Sequence, residues 1–193
     1  MNLSIAHLGP LAAPYCFYLP NPPQLPEKYN HRLMTSNHAV KKDAVTHSEM
    51  INAEMINAES TSGAVKRDAV KSYEIKSGEL NIDEIIALNG NHWRKILVIM
   101  AKICSPNDNW RSYLPRLLTQ NELIRFNATQ LHPGATHHFV CGQRSAQNLG
   151  LTPLTTPQSF EHQTEGNRHI YRLPYLDYRQ CPNSLIDELK KQI

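Results

Sequence analysis

The chain has 193 residues, of which 40% are hydrophobic and 19% charged, with a formal net charge of +3 at pH 7. This length predicts a single domain, residues 1–193. The apolar stretch Ile96–Ala101 is too short to span a bilayer, and the first 27 residues contain neither Lys nor Arg. We therefore expect no membrane span and no signal peptide, and a cytoplasmic protein.

The positive charge is concentrated in the C-terminal half of the chain. Residues 91–193 contain twelve basic residues, eight of them Arg, against seven acidic residues, whereas residues 31–79 contain seven of each. Arg side chains suit phosphate and carboxylate groups. This half is either an ordinary solvated surface or the binding surface for DNA or another anionic partner.

The first predicted strand, Tyr15–Leu19, is rich in aromatic residues and ends at Pro20. Pro20, Pro22, Pro23 and Pro26 then predict an extended path with few hydrogen bonds. The segment is interpreted as a rigid loop that leaves a buried strand, with a polyproline ligand for another protein as the alternative.

Residues 31–79 contain internal repeats. "AVKKDAVTHSEM" (39–50) recurs as "AVKRDAVKSYEI" (64–75), with seven of twelve positions identical, and "MINAE" occurs twice between them. Such short, apolar-poor repeats do not stack into a solenoid. They predict a mobile, low-complexity insertion that contributes no catalytic residue.

Helical patterns follow the insertion. Asn81, with Glu84 three residues later, predicts a helix N-cap, and Asn89-Gly90 predicts a break in that helix. From residue 91 to 104, apolar residues recur every three or four positions, which predicts an amphipathic helix with a buried stripe. The stripe consists of Trp93, Ile96, Leu97, Met100, Ile103 and Cys104.

The remaining chain alternates between strand and helix patterns. Strands are predicted at 122–127, 137–141 and 169–173, and helices at 143–150 and 184–193, the last beginning at Ser184. This alternation is typical of an α/β protein. The predicted fold is a three-layer sandwich with a mostly parallel central sheet flanked by helices.

Ligands of such sheets bind at the carboxyl ends of the strands. The segment "LPYLDYRQCPN" (173–183) follows the last predicted strand and concentrates polar and aromatic side chains there. Among its residues, Tyr175 and Tyr178 offer aromatic faces, Arg179 offers a phosphate-binding group, and Gln180 offers an amide. We therefore place the candidate site in the loops that follow the strands.

Metal and cofactor sites are not predicted. Of the ten histidines, His137 and His138 are adjacent on a strand and point to opposite faces, and no H-E-x-x-H motif is present. The four cysteines form no C-x-x-C pair, which predicts reduced thiols. "CGQRS" has one glycine, fewer than a phosphate-binding loop needs.

The segments "NGNHWRKILVIMAKICSPNDNWRSY" and "PYLDYRQCPNSLI" resemble a family of uncharacterised bacterial proteins, a domain of unknown function. The resemblance extends from about residue 14 to the end, with residues 31–79 as a variable insert. It implies no activity.

More distantly, the layout is similar to the uracil-DNA glycosylase superfamily. There a strand leads into a proline-containing loop that positions water, a later strand ends in glycine before a helix, and a last strand carries a His-Pro-Ser-type loop. "CFYLPNPP", "HHFVCGQRSAQNLG" and "LPYLDYRQ" correspond to these segments. The resemblance implies catalytic roles for Asn21 and Asp177, although Tyr175-Leu176-Asp177 replaces the His-Pro-Ser triplet.

A nucleic-acid site of this kind needs stacking platforms, groups that bind base edges, and phosphate-binding residues. The candidate stacking platforms are Tyr175, Tyr178 and Trp110. The candidate residues for binding base edges are Asn21, Asn127 and Gln180, and the candidate phosphate ligands are Arg111 and Arg179. Two classes of function stay open: a nucleic-acid-acting domain, and a non-catalytic protein that binds another protein or a small anion. In the plainest alternative the loop is only packed, with Asp177 and Arg179 as an ion pair.

Overall fold

A computed structural model describes residues 6–29 and 80–193, and within them a six-stranded sheet. The strands are β1 (His7–Leu8), β2 (Tyr15–Leu19), β3 (Glu122–Phe126), β4 (His137–Cys141), β5 (Glu161–Glu165) and β6 (Arg168–Leu173). The four strands predicted from the sequence are all present. The predicted insertion, residues 31–79, lies outside the described residues.

The sheet is mixed, which corrects the prediction of a mostly parallel sheet. Its order is β1-β3-β2-β4-β6-β5. The four central strands, β3, β2, β4 and β6, run parallel, whereas the edge strands β1 and β5 each pair antiparallel with their neighbour. Neither edge strand was predicted from the sequence, because β1 has only two residues and β5 has the polar sequence EHQTE.

The helices are α1 (Ile82–Cys104), α2 (Trp110–Tyr113), α3 (Gln143–Asn148) and α4 (Asn183–Lys190), with a 3-10 turn at Leu114–Arg116. The prediction that α4 begins at Ser184 is wrong by one residue. Pro182 takes the position before the helix, and no side chain caps it.

Helix α1 begins and bends where the sequence predicted. The Asn81 side chain accepts hydrogen bonds from the backbone N–H groups of Asp83 and Glu84. Gly90 has φ 66° and ψ −154°, values outside the helical region, so it divides α1 at a kink. Glycine reaches this left-handed φ without the steric cost that a Cβ imposes.

Alternate residues of the central strands form two cores, one on each face of the sheet. On the first face Phe17, Phe139 and Tyr171 pack with α1 and α4, while on the second Tyr18 and Val140 pack with α3 and its neighbouring loops. The predicted stripe of α1 is buried except for the half-buried Cys104. Helices therefore flank the sheet on both faces.

The loop after β2 is attached to the first half of α1. The Asn89 side chain bonds the backbone of Gln24 twice, donating to its carbonyl and accepting from its N–H, each at 2.8 Å. Lys28 pairs with Glu84 nearby. These contacts hold the loop after β2 against the first half of α1.

Two further expectations concern the cysteines and membranes. All four cysteines are free thiols, and Cys16, Cys141 and Cys181 are buried. In the described part of the chain, no helix combines the length and apolar character needed to cross a bilayer.

Candidate functional site

The carboxyl ends of the four parallel strands bring several predicted residues to one edge of the sheet. Asn127 follows β3, Asn21 lies two residues after β2, Gly142 follows β4, and Tyr175 lies two residues after β6. Backbone hydrogen bonds fix these ends: Asn127 N–H donates to the last residue of β2 at 3.1 Å, and Gly142 N–H to the last residue of β6 at 2.9 Å.

A cavity of about 250 Å³ opens beside the ends of β4 and β6. Its walls come from both strands, from α3, from residues 154–157 and from the loop after β6. Two predicted site residues, Tyr175 and Gln180, line it together with Gly142. The loop that was predicted to follow a strand therefore contributes two residues to one cavity.

Gly142 allows the Tyr175 ring to close one side of the cavity. A Cβ at this glycine would lie 3.3 Å from Cδ2 of Tyr175. The glycine also has a φ of 83°, which favours a residue without a side chain. Any other residue here would strain the backbone and push the tyrosine away from β4.

Tyr175 is joined to α1 through His92, a residue that no sequence pattern indicated. The tyrosine hydroxyl and Nε2 of His92 are 3.0 Å apart, and the two rings stack with centroids 5.8 Å apart and planes at 10°. Burial raises the pKa of Tyr175 to about 12, so its hydroxyl keeps its proton at neutral pH. The exposed imidazole of His92 thus lies at the edge where the site was expected.

Asp177 anchors the loop after β6 to α1. One carboxylate oxygen accepts a hydrogen bond from Nζ of Lys95 at 2.7 Å, and the other accepts one from the N–H of Arg179 at 3.0 Å. The hydrogen bond from Lys95 is the main reason that the pKa of Asp177 is lowered. The ion pair expected between Asp177 and Arg179 is therefore made with Lys95 instead, and Arg179 contributes its backbone.

Beyond Asp177, the loop meets α1 and α2 in a surface of cations and aromatic rings. It consists of Lys95, Lys102, Trp110, Arg111 and Tyr178 and is here called the Trp110–Tyr178 surface. Nζ of Lys102 lies 5.3 Å from the ring centroid of Trp110 and 5.9 Å from that of Tyr178. The guanidinium carbon of Arg111 lies 4.5 Å from the Trp110 centroid, and Tyr178 is 43% exposed. Cations at these distances are attracted by the rings.

The nine predicted site residues thus fall into four places. Tyr175 and Gln180 line the cavity, while Trp110, Arg111 and Tyr178 belong to the Trp110–Tyr178 surface. Asn21 and Asn127 are exposed at strand ends, and Asp177 and Arg179 lie between the cavity and the surface.

Among the described residues, no group of three or more His, Cys, Asp or Glu side chains has the arrangement of a metal site. His137 and His138 point to opposite faces, as predicted: the first stacks on His169 and the second bonds Tyr18 in the other core.

A family model described as a family of unknown function (DUF6942) matches residues 62–193, well over half of the chain. The match begins inside the predicted insertion and does not include β1 and β2, although both strands belong to the sheet. No curated protein and no solved structure matches the chain.

Proposed function

The chain belongs to the DUF6942 family of unknown function, and we propose that it acts on nucleic acid by holding one unpaired base in the cavity beside Tyr175. The observation that carries this proposal is that Tyr175 and Gln180 line the same cavity of about 250 Å³. An aromatic wall and an amide are the two groups that an extruded base requires, for stacking and for hydrogen bonding.

The arrangement of the loops supports the same proposal. The three segments that resemble those of uracil-DNA glycosylases follow β2, β4 and β6, which are neighbouring parallel strands. Their side chains therefore reach one edge of the sheet, as a shared site requires. The imidazole absent from the loop after β6 has a counterpart in His92, which bonds Tyr175 from α1.

We further propose that the reaction class is hydrolytic base excision, with Asn21 positioning the attacking water. Asn21 is exposed at the end of β2, where a bound strand can reach it. Asp177 is better suited to holding the loop than to activating water. Its two oxygens are bonded to Lys95 and Arg179, and its lowered pKa makes it a weak base.

Base binding is tested by fluorescence anisotropy, with a duplex carrying one bulged base compared with the fully paired duplex. Gln180→Ala should weaken binding to the bulged duplex by about 10-fold, corresponding to one lost base contact of roughly 1–3 kcal/mol, and should leave the paired duplex unaffected. Gln147→Ala is the matched control, because Gln147 is exposed on α3 outside the cavity. Equal affinity of the wild type for the two duplexes would contradict base binding.

Excision is tested separately by measuring free base released from a uracil-containing single strand. Asn21→Ala should abolish release without changing binding of the strand. Binding without release by the wild type would refute excision alone, whereas no binding at low salt would refute the whole proposal.

The Trp110–Tyr178 surface favours a second candidate function, the binding of another protein or a small anion without catalysis. Lys102 between two rings and Arg111 against Trp110 form a basic, aromatic surface outside the cavity. If this function is the correct one, Tyr178→Ala should weaken partner binding while Gln180→Ala has no effect.

A further inference from the structure

Three histidines, His137, His162 and His169, lie close together on three neighbouring strands. His137 on β4 and His169 on β6 are direct partners in the parallel ladder, and His162 on β5 is a diagonal neighbour of His169 across the antiparallel pair. Their rings form a row: the His137 and His169 centroids are 4.9 Å apart, and those of His162 and His169 are 5.4 Å apart.

The closest approach in this row is between two ring nitrogens. Nε2 of His162 and Nδ1 of His169 are 3.2 Å apart. Two imidazole nitrogens bound to one tetrahedral Zn²⁺, each at about 2.0–2.1 Å from the ion, are separated by about 3.3 Å. The pair therefore already has the spacing of two adjacent ligands on one zinc ion.

Both rings are held by their neighbours. His162 stacks on Tyr171 with centroids 4.4 Å apart and planes at 10°, and His169 stacks on His137 with planes at 13°. Both also lie on paired strands, so their separation is set by the sheet and not by a loop. A ligand pair oriented in advance loses little conformational freedom when a metal binds.

We propose that His162 and His169 form a binding site for a transition-metal ion, with Zn²⁺ as the ion that fits the observed spacing. Imidazole is a good ligand for Zn²⁺, Cu²⁺ and Ni²⁺ and a poor one for Mg²⁺ and Ca²⁺. Because no third His, Cys, Asp or Glu side chain in the described residues completes the set, water or an external donor takes the remaining positions. The bound ion is therefore exchangeable and open to a further ligand.

A charged residue of β6 is balanced by a partner on β5. The cationic side chain of Arg172 on β6 is paired with Glu161. A metal ion binds only the deprotonated nitrogen of an imidazole, so protons compete with the ion for these two rings.

The test is a calorimetric titration of the full chain with Zn²⁺ at neutral pH. We expect His162→Ala and His169→Ala each to remove the binding of one zinc ion per chain or to weaken its affinity. The affinity should fall by at least ~10–100-fold, which is the effect of losing an outer-shell partner of a metal ligand. His92→Ala is the matched control, since its exposed imidazole lies on α1 outside the row. Circular dichroism checks that each variant folds.

A second measurement uses the wild type alone, so it does not depend on variant folding. Zn²⁺ should shift the imidazole NMR signals of His162 and His169 at neutral pH, and Mg²⁺ should not. Zinc binding of unchanged stoichiometry and affinity in both variants would overturn the proposal, as would the absence of any shift of these two histidines. The zinc site shares no residue with the cavity beside Tyr175. A failure of the protein to bind DNA would therefore not contradict the zinc proposal.

Discussion

The hydroxyl of Tyr18 lies 2.8 Å from Nδ1 of His138, in a buried hydrogen bond between residues 120 positions apart in the chain. The same hydroxyl accepts the backbone N–H of His132 at 2.8 Å, so its own proton is directed to the imidazole. This arrangement requires a neutral His138 whose Nδ1 is unprotonated. The two side chains join β2 and β4 within the second core.

His138 should therefore reduce the stability of the fold in acid. Burial lowers its pKa to about 4, whereas an exposed histidine has a pKa of about 6.5. Below pH 6.5 the unfolded chain binds a proton that the folded chain does not bind. The free energy of unfolding should fall by about 1.4 kcal/mol per pH unit, and by roughly 3 kcal/mol in all as the pH approaches 4.

Urea unfolding at several pH values measures this contribution. His138→Asn removes the titrating ring and keeps an acceptor for Tyr18, so its stability should depend less on pH across this window. His92→Asn, an exposed substitution, should keep the wild-type pH profile. Parallel profiles for the wild type and His138→Asn would show that another group causes the acid sensitivity.

The buried stripe of α1 should contribute strongly to stability. Leu97 and Met100 are fully buried in the first core, so truncation of either to Ala should cost roughly 2–5 kcal/mol. Leu88→Ala is the control, because its side chain is 47% exposed on the same helix, and it should cost less than about 1 kcal/mol. Chemical denaturation that gave equal midpoints for all three variants would contradict this packing.

Residues 35–76 should be dispensable for folding. They lie outside the described residues, but the chain on either side of them is close: Asn81 N–H donates to the Tyr29 hydroxyl at 3.2 Å. A short Gly/Ser linker can therefore replace the segment without moving β2 or α1. We expect the melting temperature to change by only a few degrees, and loss of cooperative unfolding would show that the repeats belong to the domain.

The strands that sequence patterns predicted and those they missed differ in burial. β2, β3, β4 and β6 contain buried aliphatic or aromatic residues, which produce the patterns of a central strand. β5 is an edge strand with almost every side chain exposed, so nothing in its composition distinguishes it from a loop. Because β5 was not predicted, the proximity of His162 and His169 was not predicted either, since it depends on the pairing of β5 with β6.

The loop after β6 was predicted in position but not in its partners. Residues 174–183 follow a strand and concentrate polar and aromatic side chains, and these two features indicated a functional loop. The α1 residues that hold the loop are His92, Lys95 and Lys102, about 80 positions earlier in the chain. Their spacing places them on one side of α1, yet a polar helix face usually meets only water, so this pattern did not indicate a contact.

Tyr178 is the residue of this loop best placed to stack on a nucleic-acid base outside the cavity. Its ring is 43% exposed and lies 5.9 Å from both the Lys95 and the Lys102 ammonium groups. Tyr178→Ala should weaken binding to single-stranded DNA more than to duplex, by about 1–3 kcal/mol for one stacked base. Tyr178→Phe keeps the ring and should bind like the wild type.

Arg179 should contribute to the same binding through its charge alone. Its backbone is fixed, since the N–H donates to Asp177 and the carbonyl accepts from Gln158, while the residue is exposed. Arg179→Ala should therefore remove one phosphate contact, lower the log–log slope of affinity against salt by about one unit, and change stability by less than about 1 kcal/mol. Arg144→Ala, at an exposed residue of α3, controls for net charge. Anisotropy titrations at two salt concentrations measure the slope for the wild type and for each variant. An unchanged slope would place Arg179 outside the binding surface, and a large loss of stability would mean that this arginine serves the packing of the loop.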